Sequence, residues 1–212
     1  MSASPVRPEL GPTLPALLRA RFGIRPRTTL AVAAAIVVAL ALLVLLLARE
    51  NRGTLLVHRG DPTFGVLYSA PVRPATPHAG ELMRLAARGK AVRLTLSVAP
   101  LPPGTRADLP IRAARYVEAL RGRFPGFVPQ YDARARVNDA PGYEVRFRAG
   151  SPARPLIGQD LLVVPSDESR GPGVIVSLRQ RNARPRLRAA DRAVVKATKK
   201  ALRSFSFGAD GP

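Results

Sequence analysis

Cysteine is absent from the 212 residues, and so is tryptophan. The first absence excludes disulfides, thiolate metal sites and a cysteine nucleophile. It leaves the redox compartment open. The second, with only 5% aromatic residues, argues against stacking platforms for single-stranded nucleic acid. Histidine is scarce: His58 and His78 are the only two, each beside expected loops. No close set of His, Cys or carboxylate groups offers metal ligands, so no metal site is expected. No phosphate-binding loop, dinucleotide fingerprint or nucleophile elbow is present. Asp167 and Glu168 are adjacent carboxylates, but they sit in a Gly/Pro-containing stretch and read as solvated turn residues. The expectation is a non-enzyme without a cofactor.

Acidic residues are also few. There are 14, against 34 Lys and Arg, for a net charge of +20. This balance favours anionic partners: nucleic acid, anionic lipid or an acidic surface polymer. An Arg-rich genome would produce part of the same excess.

One charge-free run is long. Thr29 to Ala48 is "TLAVAAAIVVALALLVLLLA", rich in Leu, Ile and Val. As a helix it would rise roughly 30 Å, the thickness of a bilayer's hydrocarbon core. Its branched apolar side chains favour insertion by about 4 to 7 kcal/mol. No polar stripe marks it as a soluble amphipathic helix. A transmembrane helix is expected over 28–48. The run exceeds a signal-peptide h-region, so it is expected to stay as a signal-anchor. Arg19, Arg21, Arg25 and Arg27 precede it, and Arg49, Arg52 and Arg59 follow. This flanking bias points to an N-terminus inside and a C-terminal domain outside the cytoplasmic membrane.

The remaining organisation follows from punctuation and periodicity. Residues 1–27 are a basic, Pro-rich cytoplasmic tail. Residues 49–62 are a juxtamembrane linker with the first strand, "TLLVH". Residues 63–208 are an extracytoplasmic domain, and 209–212 a disordered tail. "FGVLYS" reads as a strand and "GELMRLAARG" as a short helix closed by Gly89. "AVRLTLSVA" alternates Val92, Leu94, Leu96 and Val98 against polar residues, the mark of a half-buried strand. In "LPIRAARYVEALRGRF", Ala113, Val117, Leu120 and Phe124 have helical spacing, and Pro110 suits a helix start. "GYEVRFR" alternates again. "QDLLVVP" and "GVIVSLR" are apolar on both faces and read as central strands joined by the hairpin loop "SDESRGPG". A last helix spans roughly 189–204. Hairpin-linked strands with separated helices give an α+β fold, with a mostly antiparallel sheet packed by two or three helices.

The run "FPGF" after a helix, then "APGYEVRF", then "LLVVPSDESRGPGVIVSLR", then a basic helix ending "KALRSFSFG", resembles the PsbP-like fold family. Its members include exported lipoproteins and membrane-anchored proteins of actinobacteria. The resemblance covers about 64–208. Where the family often has a Tyr-Pro-x-Gly-Trp-type turn after its first strand, this chain has "YSAPV". The resemblance implies an exported, non-catalytic domain that binds proteins or ligands, and it brings no catalytic residues.

One stretch concentrates charge. "RQRNARPRLRAADRAVVKATKK", residues 179–200, holds nine basic side chains and one acid. Arg192, Lys196, Lys199 and Arg203 recur every three or four residues, so they share a helix face, which Lys200 widens. Val194, Thr198, Ala201, Leu202 and Phe205 fall on the other side, facing a core. Arg179, Arg181, Arg184, Arg186 and Arg188 are expected to extend one positive surface. Its expected partner is anionic lipid or an envelope polymer, or an unidentified protein. On the outer side of a membrane, nucleic acid is disfavoured. The alternative is a membrane-tethered cytoplasmic domain that binds nucleic acid through this surface.

Overall fold

A computed structural model describes residues 26–50, 53–167, 171–182 and 187–208. Of the expected tails, 1–27 and 209–212, residues 1–25 and 209–212 lie outside these, and 26–27 belong to a helix. The chain divides into two units, 1–51 and 52–212.

The first unit contains helix α1, Pro26–Glu50. Its uncharged centre has no helix breaker and carries good helix formers, Ala and Leu. Every side chain described in it, 31–43, is exposed, including Ile36, Val37 and Leu40. Among the described residues no helix is long and apolar enough to cross a membrane. The side chains described in α1 cover about 20 Å of rise.

The second unit is α+β. Its strands are β1 (Thr54–His58), β2 (Phe64–Tyr68), β3 (Arg73–Pro74), β4 (Met83–Arg88) and β5 (Arg93–Pro100). Helix α2 (Leu109–Arg123) precedes β6 (Val128–Val137), β7 (Ala140–Ser151), β8 (Arg154–Val163) and β9 (Val174–Arg181). Helix α3 (Ala189–Arg203) and β10 (Ser206–Phe207) close the chain. The main sheet has seven antiparallel strands, ordered β3-β4-β5-β9-β8-β7-β6. A smaller sheet is ordered β1-β2-β10.

The segment read as a helix, "GELMRLAARG", is strand β4. Met83, Leu85 and Ala87 are buried, while Arg84, Ala86 and Arg88 are not. This two-residue alternation fits the sheet, and pairing with β5 overrides a weak helical spacing. Strand β6 was not anticipated from the sequence. The readings of β5, β7, β9, α2 and α3 agree with the structure to within a few residues at their ends, whereas β8 starts at Arg154, well before the expected "QDLLVVP".

Antiparallel register places cross-strand partners on one face. Met83, Val98, Val176, Leu161 and Glu144 form one such row. This is the α3 side. There, α3 lays Val194, Ala201 and Leu202 over β2, β4 and β5, with Phe64 and Val66 of β2 in the same core. Phe205 is fully buried against Phe64, with ring centroids 5.5 Å apart. The opposite face packs α2 through Leu109, Ala113 and Leu120 onto Val145, Phe147 and Ala149 of β7.

Three polar links fix α3 and the residues that follow it. Asp191 is fully buried, and its Oδ1 accepts a hydrogen bond from Ala91 N–H at 3.1 Å, tying the helix start to the β4–β5 turn. Gly89 in that turn is required, since a Cβ there would lie 2.1 Å from the same oxygen. At the other end, Leu67 N–H donates to Ser204 Oγ at 2.9 Å. Asn138, in a left-handed conformation between β6 and β7, donates from Nδ2 to Phe205 O at 2.6 Å.

Candidate binding surface

Helix α3 begins from extended backbone at Arg188, and Arg188 makes no side-chain cap. Its first turn contains Asp191 and its last turn Lys200 and Arg203, charges that suit the helix dipole at each end. Because the apolar arc is held on the sheet, the basic arc faces outward. Arg192, Lys196, Lys199, Lys200 and Arg203 are all exposed, as is Arg188 just before the helix. Among the described residues, none of these cations forms an ion pair. Helix α2 differs: there Glu118 and Arg121 pair at 2.7 Å.

The other residues of the expected surface do not join this row. Arg179 points to the α2 side of the sheet. Its side chain is only 14% exposed, and both its terminal nitrogens bond Asp160, which is fully buried. Tyr116 of α2 donates to Asp160 Oδ2 at 2.9 Å. The Arg179 guanidinium also lies over the rings of Phe147 and Phe124, at 4.9 and 5.5 Å. Gly158 makes room for this contact. It stands between Phe147 and Arg179 in the register, and a Cβ there would lie 2.2 Å from the Phe147 ring. Burial lowers the Arg179 pKa, but Asp160 and Tyr116 outweigh it and the net shift is upward. Burial, then the Asp160 charge, pushes the Tyr116 hydroxyl well up. Arg179 is therefore a positioning element of the core. Arg181, two residues on, lies on that same sheet face and is exposed. Arg184 and Arg186 lie outside the described residues.

A groove of about 650 Å³ adjoins the basic row, between α3 and the β6–β8 end of the sheet. Lys199 and Arg203 stand on one wall and Arg146 on the other, over a floor that includes Leu161 and Leu178. Glu144 is held inside it by Arg146 at 2.5 Å and Gln159 at 2.7 Å. The alternation of "GYEVRFR" marks Glu144 and Arg146 as one face, but only the tertiary packing brings Lys199 and Arg203 opposite them. On the α2 side, a second pocket of about 750 Å³ is lined by Arg106, Arg134, Arg136 and Tyr143, among others.

His58 stacks on Phe64 at 4.9 Å, and His78 is exposed and within 2.8 Å of Arg84. Asp167 is exposed, and Glu168 lies outside the described residues. Among the described residues no group of three or more His, Cys, Asp or Glu is arranged to hold a metal.

No family model matches the sequence, and no curated protein does. Solved structures resemble it. One is LpqN of Mycobacterium tuberculosis, involved in cell envelope biogenesis. The TM-score is 0.47 at 13% identity, over 76% of this chain and 94% of that one. Another is the cyanobacterial PsbP of Synechocystis, with TM-score 0.45 at 13% identity, over 74% and 93%. A third is the Ran-binding protein Mog1p of Saccharomyces cerevisiae, with TM-score 0.48 at 9% identity, over 73% and 94%. A PsbP protein is thus among the structural neighbours. At these scores the likeness concerns the arrangement of elements, and the functional reading rests on the residues themselves.

Proposed function

We propose that this chain is a single-pass, membrane-anchored protein with its N-terminus inside. Its α+β unit is displayed outside the cytoplasmic membrane, binds rather than catalyses, and docks on anionic envelope components through α3. The observation that carries the binding role is the composition of α3's outer face. A solvated helix face normally interleaves both signs of charge. This one presents Arg192, Lys196, Lys199, Lys200 and Arg203, while its single acid, Asp191, is buried. The row is therefore an uncompensated field suited to phosphate or carboxylate groups.

The anchor is supported by the charge-free run within α1, whose apolar side chains are exposed at successive positions around the helix. Val37, Val38 and Leu40 are each more than half exposed. Such a surface is stable in hydrocarbon and costly in water.

Topology tests the reading. Alkaline phosphatase fused after Pro212 is expected to be active, and a fluorescent protein fused there to be dark. The reverse pattern would put the domain in the cytoplasm and favour nucleic acid as the partner of the basic face.

A further inference from the structure

The two edges of the main sheet differ. Strand β3 is two residues long and contains Pro74, which blunts that edge. Strand β6 has ten residues, and no described strand pairs with its outer side. Pro129 and a register shift between Pro129 and Tyr131 disturb its start. From Tyr131 to Val137 the pairing with β7 is regular, so β6 presents a straight row of outward N–H and C=O groups there. Long open edges of this kind are unusual in a monomer, and they template an added strand.

The surroundings of this edge select the strand. Side chains of an added strand would alternate between the two faces of the sheet. On the α2 side they would meet the pocket containing Arg106, Arg134 and Arg136. The carboxylate on that face of β6, Asp132, is already bonded by the Tyr143 hydroxyl at 3.0 Å. On the α3 side, Ala133 and Ala135 form a low sill between the edge and the groove holding Arg146, Lys199 and Arg203. Each face thus holds one carboxylate near the edge, Asp132 or Glu144, and more cations than that: Arg106, Arg134 and Arg136 on one, and Arg146, Lys199 and Arg203 on the other. In an antiparallel pair of two β6 edges, registers centred on Arg134, Ala135 or Arg136 would set arginine against arginine, whereas an acidic strand meets these cations in any register.

We infer that β6 is a docking edge for an extended acidic peptide segment of a partner protein, added as an eighth strand with acidic side chains on both faces. The site shares Lys199 and Arg203 with the basic row of α3, but its core is the β6 edge, so this inference does not require that row to bind lipid.

The test uses the full chain in neutral detergent at low salt. The probe is a fluorescein-labelled peptide of about eight residues repeating Glu-Glu-Thr-Val, which places acids on both faces of an added strand. Anisotropy should show saturable binding. Two probes N-methylated on alternate amides, one in each register, keep the charge. The probe methylated on the ladder-forming amides should bind at least about tenfold more weakly than the other. Arg134→Glu with Arg136→Glu should weaken the parent peptide similarly, with an unchanged circular dichroism spectrum. Equal affinity for the parent and both methylated probes would reduce the contact to charge alone and overturn the proposal. So would no binding of the parent peptide, equal binding of a Lys-for-Glu probe, or a stable edge-to-edge dimer without peptide.

Discussion

Arg179 lies near the end of β9, almost buried, with its guanidinium committed to Asp160 and stacked over two phenylalanine rings. Arg192 and the cations that follow it on α3 are exposed and without ion pairs among the described residues. Both belong to one basic stretch of sequence. The strand's two-residue period turns Arg179 toward α2, and the helix's longer period turns Arg192, Lys196, Lys199 and Arg203 to water. Charge in a sequence is therefore sorted by the element that carries it. A buried cation must be paired and hydrogen-bonded, whereas an exposed row is free to meet a partner.

The comparison breaks most visibly at Asp160. Asp160→Ala removes the carboxylate that pairs with Arg179 and leaves a buried charge without it. It should destabilise the domain by about 3–5 kcal/mol, read as a lowered urea midpoint. A loss below about 1 kcal/mol would mean that Arg179 escapes to solvent. A smaller effect is expected from Tyr116→Phe, which keeps the ring and removes the hydroxyl that donates to Asp160. About 1.5–3 kcal/mol should be lost in the same assay. Least affected should be a variant with Arg192, Lys196, Lys199 and Arg203 all changed to Gln. These side chains project outward, so stability should change by no more than about 0.5 kcal/mol per site.

Much of this sorting is legible in the sequence. The helical spacing of Val194, Thr198, Ala201 and Leu202 identifies the buried side of α3, and all four are buried. The alternation of Val92 through Val98 identifies β5. What fails is instructive in each case. Leu82, Met83, Leu85 and Ala86 satisfy a short helical pattern, and only pairing with β5 makes "MRLAAR" a strand. Strand β6 escapes because an edge strand is wet on most positions, and "VPQYDARARV" shows no strong apolar alternation. The Asp160–Arg179 pair depends on register: Asp160 lies opposite Ser177 and Gly158 opposite Arg179. Residues far apart in sequence become neighbours only once that pairing is set, so the basic stretch reads as one surface when it is two.

The unequal edges of the sheet repeat the lesson with backbone groups. At β3 a proline and a two-residue length limit pairing, whereas β6 is long and flanked by cations on both faces.

The most direct test of α3's role is cosedimentation of the 52–212 unit with lipid vesicles, comparing the natural sequence with the four-Gln variant. The natural unit should bind vesicles containing phosphatidylglycerol at low salt, release them as salt is raised, and ignore neutral vesicles. The four-Gln variant, equally stable, should lose most of that binding. Equal binding by both proteins, or equal binding to neutral and anionic vesicles, would contradict the account.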